Sequence, residues 1–219
     1  MPTSSRPIVI AHHTLWTLYG WWLPNDPRGS TSRVIRSNLI GELGELHFGR
    51  KVVQPAGRDV RAFYQQAAGQ LRHPLLSFTP AEFPMVAAAI GDAIGELGLT
   101  CYACAVMPDH VYLVVRKHRL LAEEMIGGIQ MLSRKRLVES GMRDGAHPVW
   151  TRGGWKVYLD HPDEVWRSVG YVERNPLGLR LPRQSWEFVM RYDNWPLQVG
   201  HSVRSPYVRA LMRAGRYPG

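Results

Sequence analysis

Two apolar runs sit almost back to back in the middle of the chain. "TCYACAVM" (100–107) and "HVYLVVR" (110–116) are separated only by Pro108 and Asp109. Both are rich in β-branched and aromatic residues, so each reads as a strand, with the Pro–Asp pair as the turn between them. Just before them, "TPAEFPMVAAAIGDAIGELG" carries the marks of a helix. Thr79 suits an N-cap, Pro80 suits the first helical position, and Glu82 completes a capping box. Phe83, Val86, Ile90, Ile94 and Leu97 recur at helical spacing, and Gly98 is a stop signal. A helix feeding two adjacent strands calls for a sheet with the helix laid on it.

The other elements extend that unit. "PIVIAHHTLWTLYGWW" predicts a first strand, and "LPNDPRGSTSR" a loop after it. Between Val34 and Leu76 the pattern is mixed and short helices are expected. "LLAEEMIGGIQMLSRKRLVES" predicts a helix with Leu121, Met125, Ile129 and Leu132 on one apolar face. Gly127 and Gly128 weaken it by about 1 kcal/mol each. "WKVYLDH" predicts a fourth strand. "HPDEVWRSVGYVERNP" predicts a helix that starts near Pro162, carries Asp163 and Glu164 in its first turn and ends at Pro176. This order gives an α+β fold, an antiparallel sheet with helices packed on it. Residues 1–181 are expected to form the domain, and 182–219 a basic C-terminal tail packed on it.

Charge narrows the partners. Lys and Arg outnumber Asp and Glu by 27 to 18, which favours polyanions through counterion release and steering. Nucleic acid is therefore the first partner to consider. No run of eighteen apolar residues predicts a membrane span, and the first sixteen residues lack the parts of a signal peptide, so a cytoplasmic location is expected. A G-x-x-x-x-G-K-[ST] loop is absent, against an ATP-driven enzyme. The RNP consensus is absent too, against an RNA-binding sheet. Cys101 and Cys104 are the only cysteines, and no second pair follows to complete a zinc site. They read as buried strand residues, and simple alternation would send them to opposite faces.

Alternation also sorts the 110–116 strand. Val111, Leu113 and Val115 share a core face, while His110, Tyr112 and Val114 share the other. On the last helix, Val165, Val169 and Val172 form an apolar stripe. Tyr171 lies about 120° from Val165, with Arg167 one turn before it and Asn175 one turn after. This ridge either packs a tyrosine ring at the core margin or presents a phenol beside an arginine and an amide.

"AVMPDHVYLVV" resembles the HUH strand of single-tyrosine transposases, and "GYVERNP" resembles their nucleophile helix. "HTLWTLYGWWLPNDPRGS" and "WKVYLDHPDEVWRSVGYVERNPLGL" are similar to the REP-associated and insertion-sequence members. The resemblance spans roughly residues 10–181. It implies the HUH fold, ferredoxin-like, and a DNA partner with single-stranded or hairpin ends. It implies strand cleavage and rejoining through a 5′-phosphotyrosine, with Tyr171 as nucleophile. It also implies a Mg²⁺ or Mn²⁺ ion held by His110, Asn175 and the residue at 112, and it carries the expectation of a homodimer.

Position 112 departs from the motif, since Tyr112 stands where the family has its second histidine. A neutral phenol is a weaker ligand than imidazole. Two outcomes stay open: an active enzyme, or a DNA-binding protein on a disarmed transposase fold. His13 could replace the missing ligand if the first strand pairs beside this one. Candidate DNA contacts are Arg134, Lys135 and Arg136, with Arg167 and Arg28. The first three also read as a solvated helix face, and the loop around Arg28 as turn chemistry.

Overall fold

The computed structural model describes residues 8–30, 32–35, 38–198 and 200–215. Pro7 of the expected first strand and the last four residues of the tail lie outside them. The elements in chain order are β1 (Ala11–Thr17), β2 (Gly29–Ser30), α1 (Asn38–Gly41), β3 (Gly49–Arg50), α2 (Gly57–Ala68) and α3 (Phe83–Glu96). They continue with β4 (Cys101–Val106), β5 (His110–Arg116), α4 (Ala122–Glu139), β6 (Trp155–Leu159), α5 (Pro162–Gly178) and α6 (Pro206–Arg213).

Four strands form one antiparallel sheet in the order β4-β5-β1-β6. Two strand–helix–strand halves, β1-α3-β4 and β5-α4-β6, interleave to make it, which is the ferredoxin-like arrangement. The α+β architecture expected from the sequence is the one observed.

Each face of the sheet has its own core. On one face Trp16, Val111, Leu113, Val115, Cys104 and Val106 meet Val86 and Ile90 of α3 and Met125, Ile126 and Ile129 of α4. Fully burying one such aliphatic side chain contributes about 1.5–3 kcal/mol. Gly128 lets α4 come close to α3, since a Cβ there would stand 3.0 Å from Leu97 Cδ1. On the other face Val114, Ala103, Ala105 and Leu159 meet Val165, Val169 and Val172 of α5, closed by Tyr192 and Trp195. Among the described residues no helix is long and apolar enough to cross a membrane.

Four local expectations are corrected. Cys101 and Cys104 are both buried and free, but they share a core instead of diverging. A register shift between Cys101 and Ala103 inserts a residue, so the alternation slips by one and Tyr102 joins the opposite core. In α4 the buried stripe runs through Ala122, Met125, Ile126, Ile129, Ser133 and Leu137, while Leu121 is the exposed N-cap residue. Helix α3 begins at Phe83, because Thr79–Glu82 closes as a turn in which the Glu82 carboxylate accepts from the Thr79 N–H (2.7 Å) and hydroxyl (2.9 Å). Helix α5 continues two residues past Pro176.

Candidate active site

Register decides which side chains meet on the α5 side of the sheet. Thr17 pairs with His110, Leu15 with Tyr112 and His13 with Val114, and residues directly opposite in an antiparallel pair share a face. His110, Tyr112 and His13 therefore all rise toward α5. The burial of β5 alternates as read from the sequence, with Val111, Leu113 and Val115 buried and His110 and Tyr112 half-buried.

Helix α5 supplies the other half. His161 caps its start by accepting from the Asp163 N–H, and Pro162 occupies the first turn. The buried stripe of Val165, Val169 and Val172 fixes its rotation. Tyr171 then falls at the margin of the contact and stays 46% exposed. Its hydroxyl lies 3.3 Å from that of Tyr112, and the two rings meet edge to face with centroids 5.6 Å apart. His13 sits against both rings, at 5.7 Å from Tyr112 and 5.6 Å from Tyr171. His110 stands edge-on to Tyr112 at 4.8 Å.

The histidines are set up as acceptors. His110 Nδ1 lies 2.5 Å from Asp109 Oδ1. A carboxylate can only accept here, so Nδ1 donates and a neutral ring keeps its lone pair on Nε2. That Nε2 is buried without a hydrogen-bond partner among the described residues, and so is His13 Nε2. Burial pushes the His13 imidazole down, so it is neutral at physiological pH. Burial alone would raise the Asp109 carboxyl. The hydrogen bond from His110, with the Arg28 charge beyond it, outweighs this and holds it below the ordinary range.

The other site residues fall in different places. Asn175 lies one turn beyond Tyr171 and donates from Nδ2 to the Tyr171 carbonyl at 2.9 Å, which leaves its amide oxygen available. Arg167 is exposed on α5 and forms no ion pair among the described residues. Arg28 is turned inward. It bonds Asp26 through Nε (3.0 Å) and Nη2 (2.7 Å), reaches the Tyr64 hydroxyl at 3.1 Å and stacks over Trp22 at 4.2 Å. Asp26 is fully buried; burial alone would lower the Arg28 pKa, but the hydrogen bonds to Asp26, with Tyr64 and the Asp26 charge, raise it. Arg28 thus braces the loop after β1 beside the Asp109 turn.

Arg134, Lys135 and Arg136 belong to α4, which packs on the opposite face of the sheet. Arg136 pairs with Asp92 and Glu96, both at 3.1 Å, Lys135 faces Glu139 at 3.8 Å, and Arg134 donates to the Gly145 carbonyl. The structure therefore gathers His110, Tyr112, Tyr171 and Asn175 on one face and leaves this basic triplet on the other.

His13 does stand on a strand paired with β5, but four positions along from His110. At about 3.4 Å per residue their backbones are offset by roughly 14 Å along the strands. Both imidazoles contact the Tyr112 ring, which stands between them. Among the described residues no three His, Cys, Asp or Glu side chains cluster as a metal site. Asp109 is the site residue the sequence reading passed over. Its only signal was an acidic residue directly before the strand histidine, in a turn where Asp is common anyway.

No protein-family model matches the sequence, and no curated protein is significantly similar to it. Among solved structures, a REP-associated tyrosine transposase bound to a REP hairpin is similar over 100% of this chain and 88% of its own, at 13% identity and a TM-score of 0.41. A candidate transposase from Deinococcus radiodurans R1 is similar over 80% of this chain and 96% of its own, at 11% identity and a TM-score of 0.34.

Proposed function

We propose that this protein is a DNA transposase-type endonuclease that cleaves and rejoins single-stranded or hairpin DNA through Tyr171. The observation that carries the reading is the meeting of Tyr171 with Tyr112 and His13 on one face of the sheet, where Tyr112 in turn contacts the Asp109-oriented His110. That is the place where the HUH and tyrosine-helix motifs would have to converge. In the reaction, Tyr171 Oη bonds to the scissile phosphorus and the P–O3′ bond breaks. The phenol proton leaves as the oxygen attacks, and the departing 3′ oxygen takes one up. A phenol with a pKa near ~10 needs help to react at neutral pH. The Tyr112 hydroxyl, 3.3 Å from that of Tyr171, is the group placed to relay that proton, and the neutral His13 imidazole lies against both rings.

The orphaned His110 Nε2, held in position by Asp109, is the arrangement expected of a metal-binding histidine. With the Asn175 amide oxygen it could hold a Mg²⁺ or Mn²⁺ ion that keeps most of its waters. Such an ion would stabilise charge on the phosphate oxygens. The test is incubation with labelled hairpin and single-stranded DNA from the sequence flanking the gene, followed by a denaturing gel. A covalent adduct that disappears in Tyr171→Phe is expected. An adduct that survives this substitution would overturn the assignment.

Tyr112 supports a second reading, a DNA-binding protein without cleavage. Its hydroxyl faces Tyr171 where the family has an imidazole, so His110 is the one imidazole on β5. Under this reading wild type binds DNA without an adduct, and Tyr112→His raises Mn²⁺ affinity in a calorimetric titration.

A further inference from the structure

We propose that a depression on the far flank of α5 is a pocket for one unstacked nucleobase. The proposal rests on single-stranded DNA being the partner. The cavity measures about 340 Å³ and is lined by Trp166, Arg191, Tyr192, Asp193 and Asn194. That volume is at the lower end for small-ligand sites.

Its walls are firmly held. The segment leading in is tied to the edge of β4, with the Met190 N–H donating to the Cys101 carbonyl at 2.8 Å. Tyr192 and Trp195 are buried in the second core, 3% exposed each, and the Tyr192 hydroxyl donates to the Trp195 carbonyl at 2.6 Å. Between these anchors Asp193 and Asn194 face outward. Asn194 sits in the left-handed region (φ 65°), which few non-glycine residues occupy. Trp166 stands over the buried Tyr192 ring at 5.3 Å and is itself 40% exposed.

The chemistry suits a base. The Trp166 indole N–H donates to Asn194 Oδ1 at 2.5 Å. An indole can only donate, so the amide oxygen must face it and the Asn194 amino group points away as a donor. Asp193 Oδ1 accepts from the Trp195 N–H at 3.1 Å, which leaves Oδ2 as an acceptor. A donor, an acceptor and a 40% exposed indole are the complement of a base edge and its π-surface. Arg191 forms no ion pair among the described residues and can meet a phosphate.

The path to Tyr171 follows from the helix. With Val165 at 0°, Trp166 lies at about 100° and Tyr171 at about 240°, on opposite flanks of the buried stripe. Arg167, Gly170 and Arg174 fall between them, at about 200°, 140° and 180°. Gly170 leaves the crest low, and the Arg174 guanidinium is folded over it, 3.0 Å from where a Cβ would be. A strand with one base in the pocket would cross α5 over these arginines and bring a phosphate to Tyr171.

The test compares a mixed-sequence 20-nucleotide DNA with an abasic backbone of equal length and charge. Wild type should prefer the DNA with bases. Trp166→Ala should erase roughly 5- to 150-fold of that preference, the range expected for one stacking partner, and leave binding to the abasic backbone unchanged. Trp166→Phe should keep most of the preference. Asn194→Ala, which leaves the indole in place, should weaken it less than Trp166→Ala does. Equal loss on both ligands, or no loss on either, overturns the pocket. A Tyr171 adduct without this base preference sinks the pocket alone. Base preference without an adduct sinks cleavage alone.

Discussion

The two faces of the sheet use the same kinds of residue for different ends. On the α4 face Arg136 lies between Asp92 and Glu96, Lys135 beside Glu139 and Lys156 on Glu123. On the α5 face Arg167 and Arg174 have no acidic partner among the described residues. Buried polar atoms without a hydrogen bond occur on both faces, His12 Nδ1 and Trp16 Nε1 on one and His13 Nε2 and His110 Nε2 on the other, so the pairing of the basic side chains is what tells the faces apart. Cations without a partner in the chain leave positive charge on the α5 face, and a polyanion fits its sign. Proximity of basic residues in sequence, as in Arg134, Lys135 and Arg136, does not by itself mark a DNA surface.

The largest effect that could break this comparison is chemical. Tyr171→Phe should remove the covalent adduct entirely with little change in melting temperature, because Tyr171 is 46% exposed and its hydroxyl makes one long contact, 3.3 Å to that of Tyr112. A large loss of stability would make Tyr171 a packing residue. Next comes the α3–α4 core, where Trp16→Ala should cost about 3–5 kcal/mol by denaturant titration. A cost below about 1 kcal/mol would mean that face is not the main core.

The third test uses pH. His12 is 1% exposed on the α4 face, and its pKa is pushed down to about 4, first by burial and then by Lys117 and Lys156. The unfolded chain takes up this proton near pH 6.5 and the folded chain only near 4. Stability is therefore full above pH 6.5 and falls as pH drops through that window, by up to about 3 kcal/mol. His12→Gln should flatten the acid limb of a stability–pH curve between pH 6.5 and 4, and an unchanged limb would assign the loss elsewhere.

The smallest effect is in salt dependence. Neutralising Arg167 and Arg174 should reduce the slope of log K against log salt by about 0.7 per lost phosphate contact on single strands. Neutralising Arg134, Lys135 and Arg136 should change it less, and the reverse ranking would move the DNA to the α4 face.

Much of this was legible along the chain because the signals are local. The strand–turn–strand at 100–116, the valine stripe of α5 and the marginal place of Tyr171 follow from periods of 2 and 3.6. The thiols were misplaced because one inserted residue in β4 resets the alternation, and composition does not announce a bulge. Leu121 was read into the stripe of α4 because an apolar N-cap looks like a first helical turn. The site was legible as a set of residue types but not as an arrangement. How far His13 stands from His110 depends on the β1–β5 register, a long-range pairing that no local pattern encodes. Asn194 and Trp166 lie 28 positions apart, and only the fold brings them together.

The position of β1 also has a consequence for synthesis. Among the described residues it is the earliest strand in chain order, yet it lies inside the sheet. Its partners follow by 93 positions or more in β5 (Thr17 with His110) and by up to 148 in β6 (Ala11 with Leu159). At roughly 5–20 residues per second, a ribosome takes on the order of 7–30 s to deliver the last of them. During that interval β1 has two open edges, the condition under which nascent strands mispair. Tyr171 emerges after β6, so it joins a sheet whose last strand has only just arrived.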